Sequence, residues 1–326
     1  MEFETIPTVP TADEVLDRSL RRAAAKKKLK TNVDTANEEF VRAVASAIHD
    51  KLTSVVGSFP SFERLSPFYQ EATDILVSLD RIKRSLGAVT WAADRVRIIG
   101  SGYTRSMRSA GETDRKRRQA VARISSVVHQ VEDDLLFLNE ARNILRKLPH
   151  VSEDDFTVVV AGFPNVGKSS FIRLVSTAEP EIAAYPFTTK GIVVGHHDIG
   201  KRDRIQLIDT PGVLVRPADE RNPIERQAVS AIINTADVVL FILDASEHCG
   251  YALDDQVRLL DEIRRIVDVP VVAVVNKADI RGIEGYPEMS TLTGEGVEAV
   301  LDLLLTFKKE ATKTNLREPL QPETQL

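Results

Sequence analysis

The residues from Gly162 to Ser169 combine two glycines, a lysine and a serine in the order typical of a phosphate-binding loop. An apolar, β-branched run at 156–161 precedes the loop and a helix-like segment follows it, which is the context that such a loop requires. The glycines let the backbone turn so that successive N–H groups face one phosphate cluster. Lys168 is then expected at the β- and γ-phosphates, and the Ser169 hydroxyl at Mg²⁺. The predicted phosphate site comprises Gly162, Asn165, Val166, Gly167, Lys168, Ser169 and Ser170.

A second apolar run ends at Asp209 and continues to Gly212. The Asp209 carboxylate can hold the Mg²⁺ shell, and the Gly212 N–H can meet a γ-phosphate, which only the triphosphate possesses. Between the two motifs, residues 185–189 read Tyr-Pro-Phe-Thr-Thr. A threonine there can close over Mg²⁺ and the γ-phosphate and release them after hydrolysis. We favour Thr189 for this role and keep Thr188 as the alternative.

The Asn-Lys-Ala-Asp segment at 276–279 follows a third apolar run and predicts the base specificity. Asp279 can accept hydrogen bonds from N1–H and the 2-amino group of guanine, a donor pair that adenine lacks. Asn276 would brace the loop, and the Lys277 stem would lie over the base. A weaker motif, in which a threonine replaces the usual alanine, would offer backbone N–H groups to the guanine O6 from Ser290, Thr291 and Leu292. Together these elements predict a guanine-nucleotide switch that binds GTP or GDP with Mg²⁺.

The same motifs indicate how the nucleotide would be hydrolysed. Catalysis of this kind positions an in-line water and neutralises charge on the transferred phosphoryl group. Ras-like switches place a water-positioning glutamine directly after the glycine of the Asp209 motif, but this chain has Val213 there. Slow turnover without K⁺ or a stimulating partner is therefore expected. We hypothesise that Asn165 gives one oxygen to K⁺, the alternative being an asparagine that only bonds within its loop. The predicted catalytic residues are Asn165, Lys168, Thr189 and Gly212.

Several of these segments resemble a known family. The chain resembles the Obg-related translation-factor GTPases at Gly162–Ser169, Tyr185–Thr189, Asp209–Gly212 and Asn276–Asp279. The stretches Asp209–Ala231 and Leu65–Tyr69 resemble the nucleolar GTP-binding (Nog) family in particular. This resemblance implies a helical N-terminal domain, a Ras-like GTPase domain and a role in building the large ribosomal subunit. The chain lacks the long C-terminal extension of eukaryotic members, which suggests a compact archaeal form, and it has no glycine-rich Obg domain before the GTPase core.

Composition narrows the class of protein further. Of the 326 residues 43% are hydrophobic, which supports two packed domains, and no apolar run reaches the ~20 residues of a membrane span. The acidic start of the chain does not resemble a signal peptide. The single cysteine, Cys249, rules out an internal disulfide and fits a reducing cytosol. We therefore expect a cytoplasmic monomer with neither a membrane nor DNA among its partners.

Charge is divided unevenly along the chain. Residues 1–150 carry 25 Lys and Arg against 20 Asp and Glu, a net charge of +5, so the remaining residues carry −10. Basic clusters lie at 21–30 and 115–123, with further arginines at Arg95, Arg97, Arg105 and Arg108. Such runs are often only solvated helix faces, but together they favour a surface that binds RNA phosphates without reading sequence. The large ribosomal subunit or its precursor, with its rRNA and ribosomal proteins, is the expected partner.

Apolar periodicity defines the elements that must position these residues. Residues 1–150 are expected to form a helical bundle, with capping boxes at Thr11–Glu14 and Thr35–Glu38. Core positions there include Trp91, with a helix break near Gly100 and one long helix from about Ile124 to Pro149. Residues 151–313 alternate strands and helices, which predicts a mostly parallel doubly wound α/β sheet with one antiparallel hairpin. The expected strands lie at 156–161, 191–198, 204–209, 238–243, 270–275 and about 288–290, and the expected helices near 222–236, 254–267 and 296–312. Residues 314–326 are expected to be a flexible tail.

Three functions from different classes remain open at this point. The first is a GTPase that acts in assembly of the large ribosomal subunit. The second is a signalling switch that recruits protein effectors through the helical domain without binding ribosomes. The third is a nucleotide-binding module without turnover, which Val213 would allow.

Overall fold

The computed structural model describes residues 3–27, 32–110, 112–183, 191–200, 203–209, 232 and 234–315. They form two units: the first combines 3–65 with Leu76–Arg146, and the second combines Ser66–Ile75 with the chain from Lys147 onwards. The division differs from the expected one at Ser66–Ile75, which the sequence placed in the helical bundle. Tyr69 links this segment to the rest of the second unit. Its hydroxyl donates to the Pro149 carbonyl at 3.0 Å and accepts from the Val151 N–H at 2.9 Å.

The first unit is helical, as predicted. Its elements, together with α3, which joins the two units along the chain, are α1 Ala12–Lys27, α2 Val33–Ser58, α3 Pro67–Val77, α4 Leu79–Ala110, α5 Thr113–His129 and α6 Glu132–Leu145. The apolar stripes face inward: Val41, Ile48 and Leu52 of α2 are fully buried, as are Leu135 and Leu138 of α6. No described helix has both the length and the apolar character of a membrane span.

Two helix starts illustrate how local chemistry sets the boundaries. The first capping box is present: Thr11 N–H donates to the Glu14 carboxylate at 3.1 Å, and Glu14 N–H donates to the Thr11 hydroxyl at 3.2 Å. The second expected box was wrong, because Asn32 caps α2 instead. Its side-chain oxygen accepts from the N–H groups of Asp34 and Thr35, so the helix begins at Val33. Asn32 is an equally good cap three residues earlier.

Three other expectations for the bundle were also wrong. The helix does not break at Gly100, since α4 runs through it, and a Cβ there would lie 2.3 Å from the Ala45 Cβ. Gly100 therefore permits close packing of α2 and α4. The long C-terminal helix is two helices, separated at Gln130 and Val131, although Val131 stays buried and keeps the apolar stripe continuous. Trp91 is not a core residue, because 48% of its surface is exposed.

The described residues of the second unit form a mixed six-stranded sheet with helices. Its elements are β1 Phe156–Ala161, α7 Lys168–Val175, β2 Glu181–Ala183, β3 Ile192–Asp198, β4 Arg204–Asp209, β5 Val238–Asp244, α8 Leu253–Ile266, β6 Val271–Asn276 and α9 Val297–Asn315. The strand order is β2-β3-β4-β1-β5-β6. Strands β4, β1, β5 and β6 are parallel, so their carboxyl ends meet at one edge, where open α/β sheets bind ligands.

The sheet matches most of the predicted strands. The expected antiparallel hairpin is β3 and β4. The short strand β2, paired antiparallel with β3, was not predicted, because three residues with two exposed give no apolar pattern. The expected strand at 288–290 is reduced to one parallel bridge between Val275 and Glu288. The expected helix at 222–236 and the tail beyond 315 fall almost wholly outside the described residues.

Candidate nucleotide site

The loop between β1 and α7 depends on two glycines with left-handed backbone. Gly162 has φ +136°, and a Cβ there would lie 2.5 Å from the carbonyl oxygen of Ile242. Gly167 has φ +108°, and its Cβ would lie 2.1 Å from the side-chain nitrogen of Asn276. Asn165, at φ +61°, is exposed. Only glycine fits the first two positions, so the loop can turn tightly against the neighbouring strands before α7 begins.

Lys168 and Ser169 open α7 and face the end of β4. Lys168 is 6% exposed, and its Nζ donates to the Phe163 carbonyl at 2.9 Å. Burial lowers the pKa of Lys168, and the nearby Asp209 carboxylate acts in the opposite direction. The Ser169 hydroxyl donates to Asp209 Oδ2 at 2.5 Å. A hydroxyl, a carboxylate and an ammonium are thus gathered at the carboxyl edge of the sheet, where a phosphate chain and its cation would bind.

Asn276 connects the phosphate loop to the last loop of the sheet. Its Nδ2 donates to the Val166 carbonyl at 2.7 Å and to the Thr291 hydroxyl at 3.0 Å. Its Oδ1 accepts from the Thr291 N–H at 2.9 Å. The sequence identified Thr291 only as a departure from the usual alanine, but its hydroxyl is a hydrogen-bond acceptor that alanine cannot supply. Asn276 is fully buried, so these bonds satisfy a side chain that water cannot reach.

Lys277 and Asp279 lie beside this bridge. Lys277 has φ +60°, and its Nζ binds Asp244 Oδ2 at 2.5 Å at the end of β5. Although burial raises the pKa of the fully buried Asp244 carboxyl, hydrogen bonds from Lys277 and Ser246 hold it below its ordinary value. The Asp279 side chain is exposed, two residues further along. The lysine is thus held by protein, whereas the aspartate faces outward, where a base can reach it.

The loop that follows β5 was not recognised from the sequence. Asp244 Oδ2 also accepts from the Cys249 N–H at 2.8 Å, and the Asp244 N–H donates to the Gln256 side chain at 2.8 Å. The Phe163 ring of the phosphate loop lies 4.4 Å from the Tyr251 ring, centroid to centroid. The sequence signal that could have identified this loop is Asp244, which ends a buried apolar run as Asp209 does.

The remaining predicted residues divide into two groups. Ser290 is 2% exposed and its hydroxyl accepts from the Thr293 N–H at 3.2 Å, whereas Leu292 is 85% exposed. Thr188, Thr189, Gly212 and Val213 lie outside the described residues.

Within the part of the chain that the structure describes, no group of three or more His, Cys, Asp or Glu could hold a metal. The Ser169 and Asp209 pair nevertheless fits Mg²⁺, which commonly binds through one or two carboxylates and substrate phosphates.

The sheet order and the phosphate loop between β1 and α7 define a Ras-like P-loop domain preceded by a helical one. Two family models match the chain: the NOG1 N-terminal helical domain over residues 3–152, and nucleolar GTP-binding protein 1 (NOG1) over residues 223–279. The chain belongs to the nucleolar GTP-binding protein 1 family.

Individual relatives and one solved structure are similar to this chain. A protein of Methanocaldococcus jannaschii, described as uncharacterized, is 40% identical over 289 residues, covering 85% of this chain and 81% of the relative. Nucleolar GTP-binding protein 1 of Candida glabrata is 33% identical over 291 residues, covering 86% of this chain and 45% of the relative. The chain spans about half the length of several relatives of that name. A crystal structure of a nucleolar GTP-binding protein 1 from Plasmodium falciparum is 31% identical to this chain, covering 52% of this chain and 94% of the Plasmodium chain, with a TM-score of 0.46.

Proposed function

We propose that this chain is a GTP-binding and GTP-hydrolysing switch that acts in assembly of the large ribosomal subunit. The observation that supports it best is the bridge at Asn276, which bonds to Val166 of the phosphate loop and to Thr291 of the last loop. A phosphate site and a base site are thereby held in one rigid frame. Relatives of this chain carry the name nucleolar GTP-binding protein, which fits the same ligand.

Guanine is the base that the frame suits. Lys277 is fixed by the buried Asp244, so its stem can lie against a base plane without giving up its counter-ion. The exposed Asp279 carboxylate would accept from N1–H and the 2-amino group of guanine. Adenine would leave this carboxylate unpaired, and discrimination by orders of magnitude follows from such a polar pair.

The phosphate end has the groups that a nucleoside triphosphate needs. Ser169 and Asp209 would hold Mg²⁺, which neutralises phosphate charge when it is bound. Burial lowers the pKa of Lys168, and its Nζ donates a hydrogen bond to the Phe163 carbonyl. A triphosphate would give this ammonium a charged partner in place of a neutral one, so binding should favour its protonated form. Thr189, with Thr188 as the alternative, and Gly212 would contact the γ-phosphate.

Hydrolysis is proposed to be slow, because Val213 has no group that can orient water. Asn165 is the residue through which K⁺ could raise the rate. Its side chain is exposed, and no hydrogen bond joins it to another of the residues that the structure describes. This arrangement favours the hypothesis of a K⁺ ligand over that of an asparagine bonded within its own loop. Equal rates of hydrolysis in K⁺ and in Na⁺ would remove K⁺ from the proposal and leave the rest intact.

The ribosomal role rests on the first unit. Its net positive charge contrasts with the acidic remainder of the chain, which fits anchoring to rRNA by phosphate contacts. Salt-sensitive binding of ribosomal RNA by the full chain would support this role. Binding of protein effectors alone would instead favour a signalling switch.

The base assignment can be tested by changing one carboxylate. Asp279→Asn should lower affinity for GTP by about 100-fold or more and raise affinity for xanthosine triphosphate, since xanthine has a carbonyl where guanine has the 2-amino group. Asp268→Asn is the matched control, because Asp268 is an exposed aspartate of the same unit away from the site. Both variants can be titrated with fluorescent analogues of the two nucleotides. Unchanged preference for GTP in Asp279→Asn would contradict the proposal.

A further inference from the structure

One side of helix α4 is exposed and points away from the core of the first unit. Its residues recur every three or four positions, so they lie along one side of the helix. We call it the Trp91 face; it consists of Arg84, Gly87, Trp91, Arg95, Ile98, Gly102 and Arg105, all exposed. The core side of the same helix is supplied by other residues, including the fully buried Val89 and Val96. The Trp91 face is therefore additional to what folding requires.

Two large apolar side chains stand out on this face. Trp91 is 48% exposed and Ile98 is 57% exposed. They are seven residues apart, about two helical turns, so they lie on one line along the helix. Tryptophan is a residue that folded proteins usually keep largely buried. An indole held at the surface of a rigid helix is available for stacking by an external planar group.

The arginines on the same face are not neutralised by any residue that the structure describes. Among the described residues, Arg84, Arg95 and Arg105 make no ion pair, and Arg84 donates only to the backbone carbonyl of Asp80, at 3.3 Å. Neighbouring arginines behave differently: Arg97 binds Asp94 at 2.8 Å, and Arg108 binds Glu38 at 2.5 Å. The Trp91 face thus combines an aromatic platform with guanidinium groups that keep their donors for a ligand.

Glycines make the backbone of this face accessible. A Cβ at Gly87 or at Gly102 would meet no atom within 4 Å, so neither glycine is required by packing inside the protein. Gly100 on the same helix is the contrast, since its Cβ would collide with Ala45. Glycine in the middle of a helix is unfavourable relative to alanine. At positions 87 and 102 it leaves shallow gaps on either side of Trp91 and Ile98, where a ligand can approach the helix closely.

We propose that the Trp91 face binds RNA, with an unstacked base on the Trp91 indole and phosphates at Arg84, Arg95 and Arg105. Successive arginines lie about 15–17 Å apart along the helix axis, so one extended strand could contact all three. Unpaired bases stacked on aromatic side chains, with basic groups along the backbone, are a common mode of single-strand recognition. The three arginines, which no described residue pairs, favour RNA over an apolar protein surface. This inference rests on the proposed ribosomal role and assigns its RNA contact to one helix face.

The chain itself supplies the probe, because Trp91 is its only tryptophan. Tryptophan emission of the full-length protein can be followed during titration with an RNA hairpin carrying a three-nucleotide bulge, and with a fully paired hairpin as comparison. Complex formation is measured separately by gel mobility of the labelled RNA. We expect the bulged RNA to quench the emission and to bind more tightly than the paired one. Trp91→Ala should weaken its binding roughly 5- to 150-fold, and Trp91→Phe should restore part of it.

Charge variants sharpen the test. Arg95→Ala and Arg105→Ala should each weaken binding and make it less sensitive to salt. Arg97→Ala is the matched control: it removes the same charge from the same helix, about a third of a turn away from Trp91, and should have a smaller effect. All these side chains are exposed, and far-ultraviolet circular dichroism checks that the variants keep their helical content.

The outcomes separate this inference from the proposed function. Binding of RNA with unchanged emission, and with equal affinity in Trp91→Ala, would overturn the Trp91 face and leave RNA binding by another surface. Absence of any RNA binding would overturn both this inference and the RNA anchor of the proposed function. In that case quenching by proteins extracted from the large ribosomal subunit would assign the face to a protein partner instead.

Discussion

The two units use glycine in opposite ways. In the second unit, Gly162 and Gly167 have positive φ, and a Cβ at either would collide with neighbouring atoms. In the first unit, Gly87 and Gly102 lie within a regular helix and open space surrounds them. The first pair is required by the shape of the protein itself. Packing inside the protein does not require the second pair, so we relate these two glycines to an external ligand.

Charge shows the same contrast. The second unit has a buried charge with an internal partner, Asp244 with Lys277. The first unit leaves Arg95 and Arg105 at the surface, and no ion pair joins them to the residues described. A site that binds a small ligand needs fixed internal geometry, whereas a surface that binds a polymer needs accessible charge. Substitutions in the two units should therefore affect different measurements.

The largest effect is expected at Gly167. Gly167→Ala forces a side chain into φ +108° and into the Asn276 amide, which should cost about 3 kcal/mol or more of nucleotide affinity. This corresponds to a loss of GTP affinity of about 100-fold or more. Gly102→Ala in the first unit should leave GTP affinity unchanged. Calorimetric titration of both variants with GTP and Mg²⁺ decides the comparison, and equal affinities would contradict it.

A smaller effect is expected at the buried carboxylate. Asp244→Asn removes the counter-ion of Lys277 and should lower the free energy of unfolding at pH 7 by about 2–3 kcal/mol. Because folding lowers the pKa of Asp244, its contribution is present above the ordinary carboxyl pKa and is lost as pH falls through the folded value. The difference between variant and wild type should therefore shrink in acid.

Urea denaturation across this pH range measures the effect. Asp255→Asn is the matched control, because the ion pair of Asp255 with Arg258 is exposed and should be worth less than about 1 kcal/mol. A loss of stability in Asp244→Asn no larger than in the control would show that the pair does not hold Lys277.

The helical glycines should behave in the opposite sense. Gly87→Ala and Gly102→Ala should each raise the free energy of unfolding of the first unit by about 0.5–1 kcal/mol, since alanine loses less backbone entropy and meets no steric obstacle. Gly100→Ala should instead destabilise by about 1–3 kcal/mol through its contact with Ala45. Denaturation followed by Trp91 emission reports this unit directly. Destabilisation by all three substitutions would mean that the Trp91 face is packed.

The smallest effect is expected at His129. Hydrogen bonds with the Ser125 carbonyl and the Asp13 carboxylate raise the pKa of His129. Its contribution is therefore present below the unfolded pKa and is lost as pH rises through the folded value. Because 43% of the His129 side chain is exposed, we expect the first unit to lose only a few tenths of a kcal/mol between pH 6 and pH 8. His129→Gln should flatten this dependence, and an unchanged slope would contradict the assignment.

The sequence was most informative where chemistry depends on neighbouring residues. The phosphate loop and the 276–279 segment could be placed at strand ends because motif and apolar run adjoin. The partnership of Asp244 with Lys277 could not, because it joins β5 and β6 across the sheet. The role of Thr291 was missed for the same reason, since its partner Asn276 is 15 residues away in the chain.

In the helical unit the apolar period predicted the core but not its edges. Trp91 fits the helical period loosely, and nothing in its local sequence distinguishes an exposed position from a buried one. The exposed position follows from which side of α4 packs on the other helices. Gly100 resembles a helix breaker in the sequence, and only its contact with Ala45 explains why the helix continues. Long-range packing accounts for both errors.

We propose that the second unit binds the nucleotide and that the first unit anchors the protein to the ribosome. The most direct test of this claim is sedimentation of the full-length protein with isolated large ribosomal subunits, with GDP or with a non-hydrolysable GTP analogue, at low and at moderate salt. We predict tighter binding with the GTP analogue, weakened by salt because phosphate contacts release counterions. Failure to sediment with the subunits in either nucleotide state at low salt would contradict the claim.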